Sequence, residues 1–336
     1  MTISKALTFR ASSIGDCLMG KYLLENIHAH YPEARLGIVV ASRGAMIRDL
    51  FAAYPWLEII EANRRTPREL LSLLKNFQES DVVITQYAGK QGGKFSFASK
   101  LAARTLAKQR GLVGFTDASR FNGLLYDKLI PHTLSAAPAA LEREALRAVG
   151  VPITYERPMM QCTPMPQSAE KFGLIAGKYI VVHLFAGNKG RGLSPEKKRE
   201  LLTVLAEKLP GIRLVISGGR EDKEEALAAA KDLSATVIAG EASLQELMNL
   251  IRTSRGVVSV DTGVAHIATQ LGKPLIVLAT CLGLHWWGKE QYGTDAPISL
   301  FTRADLCAAG HDFTACPDCL NTIEFETVAD RAAVIF

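Results

Sequence analysis

The sequence predicts an α/β protein made of two Rossmann-like domains, each built on a parallel β-sheet. Short apolar segments rich in Val, Ile and Leu alternate with segments of helical periodicity, which is typical of parallel sheets covered by helices on both faces. A chain of 336 residues also exceeds the size of one ordinary domain. Prolines crowd the stretch 151–167 and interrupt the alternation there. We therefore predict an N-terminal domain at 1–150, a linker at 151–167 and a C-terminal domain at 168–336, whose tail is a candidate to pack back on the N-terminal domain.

In the N-terminal half, Leu18, Tyr22 and Ile27 recur at helical spacing and predict the first helix. Pro67 fits the first position of a helix because its missing N–H needs no partner there, and Gly150 closes the last helix of this half. The predicted strands of this half cover 6–10, 35–40, 58–60, 81–85 and 112–115, and the predicted helices cover 17–30, 43–54, 66–77, 96–108 and 138–149.

In the C-terminal half, Ser243 and Glu246 have the spacing of a capping box, which begins a helix. Gly272 and Pro274 end a later helix before the last predicted strand. The predicted strands cover 179–184, 213–217, 236–238, 256–260 and 274–278, and the predicted helices cover 195–209, 221–232, 244–253 and 264–271. Ligands of such sheets bind at the carboxyl ends of the strands, so we expect a site in a cleft between the two domains.

The most informative stretch is Asp261-Thr262-Gly263, between a buried strand and the helix that follows. A helix that begins there presents free backbone N–H groups and the positive end of its dipole, which suits a phosphate. Gly263 allows a close approach of the ligand and Thr262 adds a hydroxyl donor. His266 lies one turn further along the helix and could contact a diphosphate. The alternative is that Asp261 or Thr262 only caps the helix and that His266 is an ordinary half-buried residue.

This stretch resembles the D-T-G-x-x-H-x-x-x-x-x-x-x-P segment of glycosyltransferase family 9, the ADP-heptose:lipopolysaccharide heptosyltransferases, with Pro274 also on the pattern. The resemblance implies a GT-B fold, in which two Rossmann-like domains face each other across a cleft. It implies the transfer of heptose from ADP-heptose to the inner core of lipopolysaccharide, with inversion and without an essential metal or other cofactor. The donor would bind the C-terminal domain and the acceptor the N-terminal domain.

The loop Ser12-Ser13-Ile14-Gly15-Asp16 follows the first predicted strand and resembles the family's N-terminal S-x-I/L-G-D segment. The resemblance places the catalytic base at Asp16, and we assign Ser12, Ser13 and Gly15 to acceptor binding. A carboxylate can deprotonate the attacking hydroxyl if partial burial raises its proton affinity. The alternative is an Asp that only caps the next helix.

A second candidate for donor binding is the Gly-rich loop that contains Asn188, Lys189 and Arg191. Its cations and glycines suit a diphosphate, whereas a solvated flexible loop is the alternative. The resembling family has a Lys here, then one residue, then Trp-Pro. Alignment places Arg191 at the lysine but Leu193 and Ser194 at the Trp-Pro pair, which is a departure from the family pattern.

A third candidate for donor binding is the Gly-Gly turn that precedes Glu221 and Asp222. The family has an acidic residue there that contacts the nucleoside, and Asp222 aligns with it best. A carboxylate accepts hydrogen bonds from both hydroxyl groups of a ribose. Both residues would also suit the first turn of a helix without any ligand.

Near the C-terminus, Cys316 and Cys319 form a C-x-x-C, with Cys307 and His311 before it. These cysteines are a weak candidate metal site with irregular spacing, and a redox pair is a second interpretation. A structural packing segment is the default. The family often has a segment here that ends C-L-x-x-I-x-x-x-x-V, which is matched by Cys319, Leu320, Ile323 and Val328.

The charge distribution predicts an anionic partner for the N-terminal half. Residues 1–165 carry 21 Lys and Arg against 14 Asp and Glu, whereas residues 166–336 carry 18 against 20. We assign Lys90 and Lys94 to acceptor binding; a solvated helix face is the alternative. With the family resemblance, we expect an anionic lipopolysaccharide core and a peripheral contact with the inner membrane surface, rather than nucleic acid. The basic residues of 85–131 are Lys90, Lys94, Lys100, Arg104, Lys108, Arg110, Arg120 and Lys128.

Other features of the sequence indicate the cellular compartment and exclude one class of enzyme. No apolar run reaches the ~18–20 residues that span a bilayer, and Met1–Arg10 lacks a secretory segment, so we expect a cytoplasmic protein, at most peripheral on the inner membrane. No G-x-G-x-x-G follows either domain's first strand, which argues against a nicotinamide enzyme. There are three alternatives to a heptosyltransferase that acts on lipopolysaccharide. They are a heptosyltransferase with a protein acceptor such as an autotransporter adhesin, a nucleotide-sugar 2-epimerase, and a non-catalytic nucleotide-sugar binder.

Overall fold

The computed structural model describes residues 2–63, 65–88, 93–133, 135–187, 192–307 and 317–336. The chain divides into two compact units. The first contains the residues up to Pro158 together with Glu290–Gly293, and the second contains Met159–Lys289 and Thr294–Phe336. The division between the two units therefore falls inside the Pro-rich segment 151–167.

The first unit alternates strands and helices around one parallel sheet. In chain order the elements are β1 (Lys5–Arg10), α1 (Ile14–His30), β2 (Arg35–Val40), α2 (Gly44–Leu50), β3 (Leu57–Glu61), α3 (Pro67–Phe77), β4 (Val82–Thr85), α4 (Phe97–Leu106), β5 (Leu112–Phe115), α5 (Asn122–Leu125), β6 (Lys128–Ile130) and α6 (Pro138–Ala148). The strands lie in the order β3-β2-β1-β4-β5-β6, and each neighbouring pair is parallel.

The second unit repeats this architecture. In chain order its elements are α7 (Gln167–Lys171), β7 (Tyr179–His183), α8 (Pro195–Lys208), β8 (Arg213–Ile216), α9 (Lys223–Ala229), β9 (Ala235–Val237), α10 (Leu244–Thr253), β10 (Val257–Val260), α11 (Gly263–Gln270), β11 (Leu275–Leu278), α12 (Lys289–Tyr292, whose last three residues belong to the first unit), β12 (Ile298–Phe301), α13 (Pro317–Asn321) and α14 (Phe325–Ile335). Short 3₁₀ helices cover Arg220–Asp222, Cys281–Trp286 and Ala304–Leu306. The strands lie in the order β12-β11-β10-β7-β8-β9, again all parallel.

Every predicted strand is present within one residue of its predicted bounds. The strands β6 and β12 were not predicted, because each lies at a sheet edge and is partly exposed, so neither is a continuous apolar run. The predicted helix at 221–232 is instead a 3₁₀ turn followed by the shorter α9. The predicted helix at 17–30 begins earlier, at Ile14, because Ser13 accepts a hydrogen bond from Asp16 N and caps it.

The core of the second unit shows why its apolar segments form strands. Val258 and Val260 of β10 lie beside Ile276 and Leu278 of β11, and all four are fully buried on one face of the sheet. Helices α8 and α14 cover this face. Each fully buried side chain of this kind contributes about 1.5–3 kcal/mol relative to an exposed one. The continuous apolar pattern of the central strands follows from helices covering both sheet faces.

Hydrogen bonds fix the chain on either side of the boundary between the units. Asn26 of α1 accepts from Thr154 N and Tyr155 N, each at 2.8 Å. Beyond the boundary, Met160 N donates to Gln270 O at 2.9 Å. The segment that returns to the first unit is Glu290–Gly293, in which the fully buried Gln291 accepts from the backbone of α6.

The C-terminal helix α14 packs against α8 within the second unit; a contact of the tail with the N-terminal domain stays a prediction. The apolar face of α14, with Phe325, Val328 and Ala332, completes the core of the second sheet. Among the described helices, none combines the length and the apolar character that a bilayer-spanning helix needs.

Candidate active site

Each unit has a candidate site at the carboxyl edge of its sheet, at the point where the strand order changes direction. In the first sheet this point lies between β1 and β4, and in the second between β7 and β10. The loops that follow these neighbouring strands leave toward opposite faces, which opens a crevice for ligands. The segment 11–16 follows β1, and Asp261–Gly263 follows β10.

In the second unit, α11 begins directly after the loop Asp261-Thr262. Thr262 is the N-cap residue in extended conformation (φ −142°, ψ 174°), and its side chain makes no capping hydrogen bond within the described residues. The first backbone N–H groups of α11 have no partners inside the helix, so this end suits an anion. Thr262 and Gly263 are half-buried, which leaves them accessible at the sheet edge.

The carboxylate of Asp261 points into a buried aromatic cluster. Trp287 Nε1 donates to Asp261 Oδ1 at 3.2 Å, and the ring of Trp287 stacks on His266 with centroids 4.5 Å apart. His266 also lies 4.9 Å from the ring of Trp286. A Cβ at Gly283 would lie 2.1 Å from Asp261 Oδ2, so a larger residue there would displace this carboxylate. Asp261 and His266 therefore hold the segment after β11 against the start of α11.

At the end of β8, Asp222 closes its own turn. Its Oδ2 accepts a hydrogen bond from Gly219 N at 2.8 Å. Burial raises the pKa of Asp222; the hydrogen bond from Gly219 opposes this and the charge of Glu221 adds to it. Glu221 is exposed. Burial also lowers the pKa of the neighbouring His183 to about 4, so that its ring is neutral. The other predicted donor-binding residues, Asn188, Lys189 and Arg191, lie outside the described residues.

In the first unit, hydrogen bonds to both carboxylate oxygens orient Asp16. Gln86 Nε2 donates to Asp16 Oδ1 at 2.6 Å, and Ser13 Oγ donates to Asp16 Oδ2 at 2.6 Å. Gln86 Oε1 in turn accepts from Ala11 N at 2.6 Å, so this one buried side chain joins the loops after β1 and β4. Asp16 itself is half-buried. The sequence analysis missed Gln86, because nothing in its local sequence distinguishes it from other polar residues after a strand.

The other residues predicted for acceptor binding in this loop, Ser12, Ser13 and Gly15, also have structural roles. The helix cap is Ser13, and Asp16 occupies the third helical position. Ser12 Oγ accepts from Ser42 N at 3.0 Å, which joins this loop to the one after β2. Gly15 is buried. The hydroxyl groups of both serines are thus engaged within the loops.

A fully buried ion pair lies under this loop. Arg10 donates to Glu142 with N–O distances of 2.5 and 2.7 Å, and Arg10 Nε donates to Thr8 Oγ1. Burial raises the pKa of Glu142, which the charge of Arg10 opposes. Tyr87 is also buried, and its hydroxyl has no hydrogen-bond partner within the described residues. Loss of Arg10 or of Glu142 would leave the buried charge of the other residue uncompensated.

Three of the basic residues in the segment 85–131 form ion pairs with carboxylates of the same unit. Lys100 is buried and pairs with Asp117, Arg104 pairs with Asp127, and Lys108 pairs with Asp81, with N–O distances of 2.6, 2.7 and 2.6 Å. Nearby carboxylates therefore offset the charge of these three cations, and the role of this segment in binding an anionic acceptor stays a prediction. Of the two predicted acceptor-binding lysines, Lys94 is exposed and Lys90 lies outside the described residues.

The predicted metal candidates are only partly described. Neither Cys307 nor Cys319 belongs to a disulfide within the described residues, and Cys319 is buried. Cys316 and His311 lie outside the described residues. Among the described residues, no group of three His, Cys, Asp or Glu side chains could hold a metal ion.

Comparison with known proteins assigns the family. Residues 100–280, more than half of the chain, match the model of glycosyltransferase family 9 (heptosyltransferase). The chain belongs to glycosyltransferase family 9. It is 26% identical over 303 residues to the lipopolysaccharide core heptosyltransferase OpsX of Haemophilus influenzae, covering 80% of this chain and 77% of that protein.

Solved structures of the family share the fold. A family 9 glycosyltransferase from Veillonella parvula superposes with a TM-score of 0.75 at 14% identity, covering 99% of this chain and 97% of that one. The E. coli heptosyltransferase WaaC with ADP gives 0.70 at 19% identity, covering 99% and 100%. The family 9 enzyme described here therefore has the predicted α/β fold of GT-B type, and its family is one of heptosyltransferases.

Proposed function

We propose that this family 9 glycosyltransferase moves heptose from ADP-heptose to a hydroxyl group of the lipopolysaccharide inner core, with inversion at the anomeric carbon. The observation that carries the proposal is the Asp16 carboxylate, held by Gln86 and Ser13 at the carboxyl edge of the first sheet. These hydrogen bonds orient both oxygens, and an ionised carboxylate can take up the proton of an attacking hydroxyl. A base of this kind contributes about 10²–10⁴ to the rate.

The transfer is proposed as a single displacement. The acceptor oxygen attacks the anomeric carbon opposite the diphosphate, and its proton passes to Asp16. The bond between the anomeric carbon and the diphosphate oxygen breaks, and ADP leaves with the electron pair. The free N–H groups at the start of α11, beside Thr262 and Gly263, would stabilise the charge on that diphosphate. Two features support ADP as the nucleotide: the family of the chain and the presence of ADP in the superposed WaaC structure.

We assign the remaining donor contacts to the loop with Asn188, Lys189 and Arg191 and to the acids Glu221 and Asp222. The acceptor would contact the loop of Ser12, Ser13 and Gly15, together with Lys90 and Lys94. The proposal requires no metal or other cofactor. The acceptor is an anionic glycolipid, so the enzyme would work in the cytoplasm, in peripheral contact with the inner membrane, and would have no nucleic-acid partner.

The test combines a substrate panel with one substitution. The protein is incubated with ADP-heptose and a set of truncated core oligosaccharides, and ADP release and product mass are measured. We expect Asp16→Asn to lower turnover by ~10²–10⁴, while ADP affinity and melting temperature stay nearly constant, because Asn preserves the shape. A melting temperature that falls while turnover persists would make Asp16 a structural residue.

The same assay separates the alternatives. A changed nucleotide sugar formed without acceptor would identify an epimerase. Binding of ADP-heptose with no turnover on any acceptor would identify a binding protein. Transfer to a protein acceptor but to no core oligosaccharide would identify a protein heptosyltransferase.

A further inference from the structure

Helix α4 carries two large apolar side chains on its exposed face and a lysine on its buried face. Lys100 is only 1% exposed, whereas Phe97 and Leu101 are about half exposed. A helix that covers a sheet normally turns its apolar stripe inward, as Ala103 and Leu106 do here. Packing against the sheet therefore does not account for the apolar residues on the outer face of α4.

The outer face of α4 continues onto α5. Phe97 and Leu101 are four residues apart and share one face of the helix. The ring of Phe97 lies 5.8 Å, centroid to centroid, from the ring of Phe121, which is also about half exposed. Leu124, on α5, is 82% exposed. These four side chains, Phe97, Leu101, Phe121 and Leu124, form what we call the apolar patch. Clusters of this kind on a surface mark sites of interaction.

A buried polar cluster holds the apolar patch in place. Lys100 Nζ donates to Asp117 Oδ2 at 2.6 Å and to Asn122 Oδ1 at 2.8 Å, and Asn122 Nδ2 donates to Asp117 Oδ1 at 2.9 Å. These bonds join the inner side of α4 to α5 and to the loop before it. The patch is therefore a preformed surface that needs no rearrangement to bind.

The charges around the apolar patch are positive. Asp117 is the only carboxylate in residues 93–125, and its side chain is 2% exposed. Arg120, next to Phe121, is exposed. Lys94 is exposed as well, and its neighbour Phe95 donates through its backbone N to Asp117, which places Lys94 beside the same loop. The surface combines apolar side chains with exposed cations, a combination that suits anionic head groups and the acyl chains beneath them.

The start of helix α4, where Phe97 lies, is at the same edge of the first sheet as the Asp16 loop. Helix α4 and helix α5 follow the carboxyl ends of β4 and β5, and the Asp16 loop follows the carboxyl end of β1. These ends meet at one edge because the strands are parallel. A membrane that contacts Phe97 would therefore lie on the side of the first unit that carries the proposed acceptor loop.

We propose that the apolar patch, together with Lys94 and Arg120, docks the protein on an anionic lipid bilayer. The four apolar side chains would enter the boundary between head groups and acyl chains, and the two cations would contact lipid phosphates. This inference rests on the proposed function, because a glycolipid acceptor is presented at such a surface. It assigns the membrane contact to defined residues of the first unit.

The test measures binding of the full chain to vesicles by sedimentation. Vesicles of phosphatidylcholine alone are compared with vesicles that also contain phosphatidylglycerol. We expect binding to the anionic vesicles, and we expect Leu101→Ser/Leu124→Ser to lower the partition coefficient at least about tenfold, because two leucines no longer enter the bilayer. Arg120→Glu should lower it about tenfold on anionic vesicles only.

The matched control is Leu71→Ser/Leu74→Ser on α3, which removes two leucines that are 67% and 50% exposed in the same unit. It should bind vesicles like the unchanged protein. Equal losses in the two double variants, or no binding of the unchanged protein to anionic vesicles, would overturn the proposal. A change of molecular mass in solution in the patch variant, measured by light scattering, would show a contact between copies of the chain and would also overturn it.

Assays with a water-soluble, acyl-free core oligosaccharide separate this inference from the proposed function. The variant Leu101→Ser/Leu124→Ser should keep the turnover of the unchanged protein on that acceptor. If the unchanged protein binds anionic vesicles through the patch but transfers no heptose, the docking surface stands and the proposed function fails.

Discussion

At the scale of single residues, the proposed acceptor site depends on side chains far apart in the sequence. Asp16 and Gln86 are 70 residues apart, and a 2.6 Å hydrogen bond joins them. An oriented carboxylate loses less freedom when the acceptor hydroxyl arrives, which favours the reaction. Gln86 therefore acts as a positioning residue for the proposed base.

This role predicts the effect of Gln86→Leu. The substitution removes both hydrogen bonds of the amide while it keeps a side chain of similar size. We expect kcat to fall about tenfold or more, while the ADP affinity and the Michaelis constant for the acceptor change little. Steady-state kinetics and ADP calorimetry measure the two effects separately.

The control for this prediction is Gln109→Leu, which changes an exposed glutamine of the same unit. It should leave kcat unchanged. If Gln86→Leu raised the Michaelis constant for the acceptor and left kcat intact, Gln86 would be a binding residue and the positioning role would be wrong.

At the proposed donor site, the residues that can contact a ligand differ from those that hold the surrounding segments in place. A carboxylate close to a diphosphate would repel it, and the Asp261 carboxylate is directed instead at the indole of Trp287. Thr262 and Gly263 are the residues with access to a ligand at that edge. The aromatic residues Trp286 and Trp287 were missed in the sequence because their contact with His266 joins positions about 20 residues apart.

At the scale of elements, Asp81 joins the beginnings of β1 and β4. Its Oδ2 accepts from Ser4 N and Lys5 N, at 2.7 and 3.1 Å, and its Oδ1 accepts from Lys108 Nζ at 2.6 Å. Burial opposes ionisation of Asp81, but the hydrogen bonds from Lys108, Ser4 and Lys5 outweigh it and lower the pKa to about 2. These contacts fix the central pair of strands at their amino ends.

The lowered pKa of Asp81 predicts a pH-dependent stability. Its folded pKa lies below its unfolded value of about 3.9, so the stabilisation is present above that value and is lost as the pH falls toward about 2. We expect Asp81→Asn to reduce the free energy of unfolding at pH 7 by about 2 kcal/mol, and the difference from the unchanged protein to shrink between about pH 4 and pH 2. Urea unfolding across this range measures it.

Asp330→Asn is the matched control, because Asp330 forms an exposed ion pair with Lys208. Its effect should stay within about 0.5 kcal/mol at every pH. A pH-independent loss of stability in Asp81→Asn would show that the charge of this carboxylate is not what stabilises the strand pair.

At the scale of the whole molecule, two units repeat one strand order, and each has its own point where that order reverses. The proposed donor residues belong to the second unit and the proposed acceptor residues to the first. Because each unit has its own core, ligand binding to one need not stabilise the other.

This division predicts the pattern of hydrogen exchange with ADP. At a concentration one hundred times Kd, ADP stabilises the state that binds it by about 2.7 kcal/mol. We expect slower exchange of backbone amides at the start of α11 and at the ends of β7 and β10, with the first sheet unchanged. AMP, which lacks the second phosphate, should protect the start of α11 less. Protection confined to the first unit would contradict the assignment of the donor to the second.

The sequence by itself determined the elements and the family. Central strands such as β10 and β11 are continuous apolar runs because both faces of the sheet are covered, and caps such as Ser243 with Glu246 mark a helix start within four residues. These signals are local, so they can be read without the fold. The Asp261-Thr262-Gly263 junction likewise carries its chemistry within three residues.

Only the tertiary structure decided which partner each polar side chain meets. The charged and apolar residues of the chain can be counted in the sequence, but the count does not show which are buried. In the fold, Lys100 is buried against Asp117, whereas Phe97 is exposed. Gln86 contacts Asp16 because β4, which precedes Gln86, lies beside β1 in the sheet. Trp287 contacts Asp261 because the chain after β11 folds back over the start of α11. The physical reason is that hydrogen bonds and burial depend on distance in space, which residues distant in sequence acquire only when the sheets assemble.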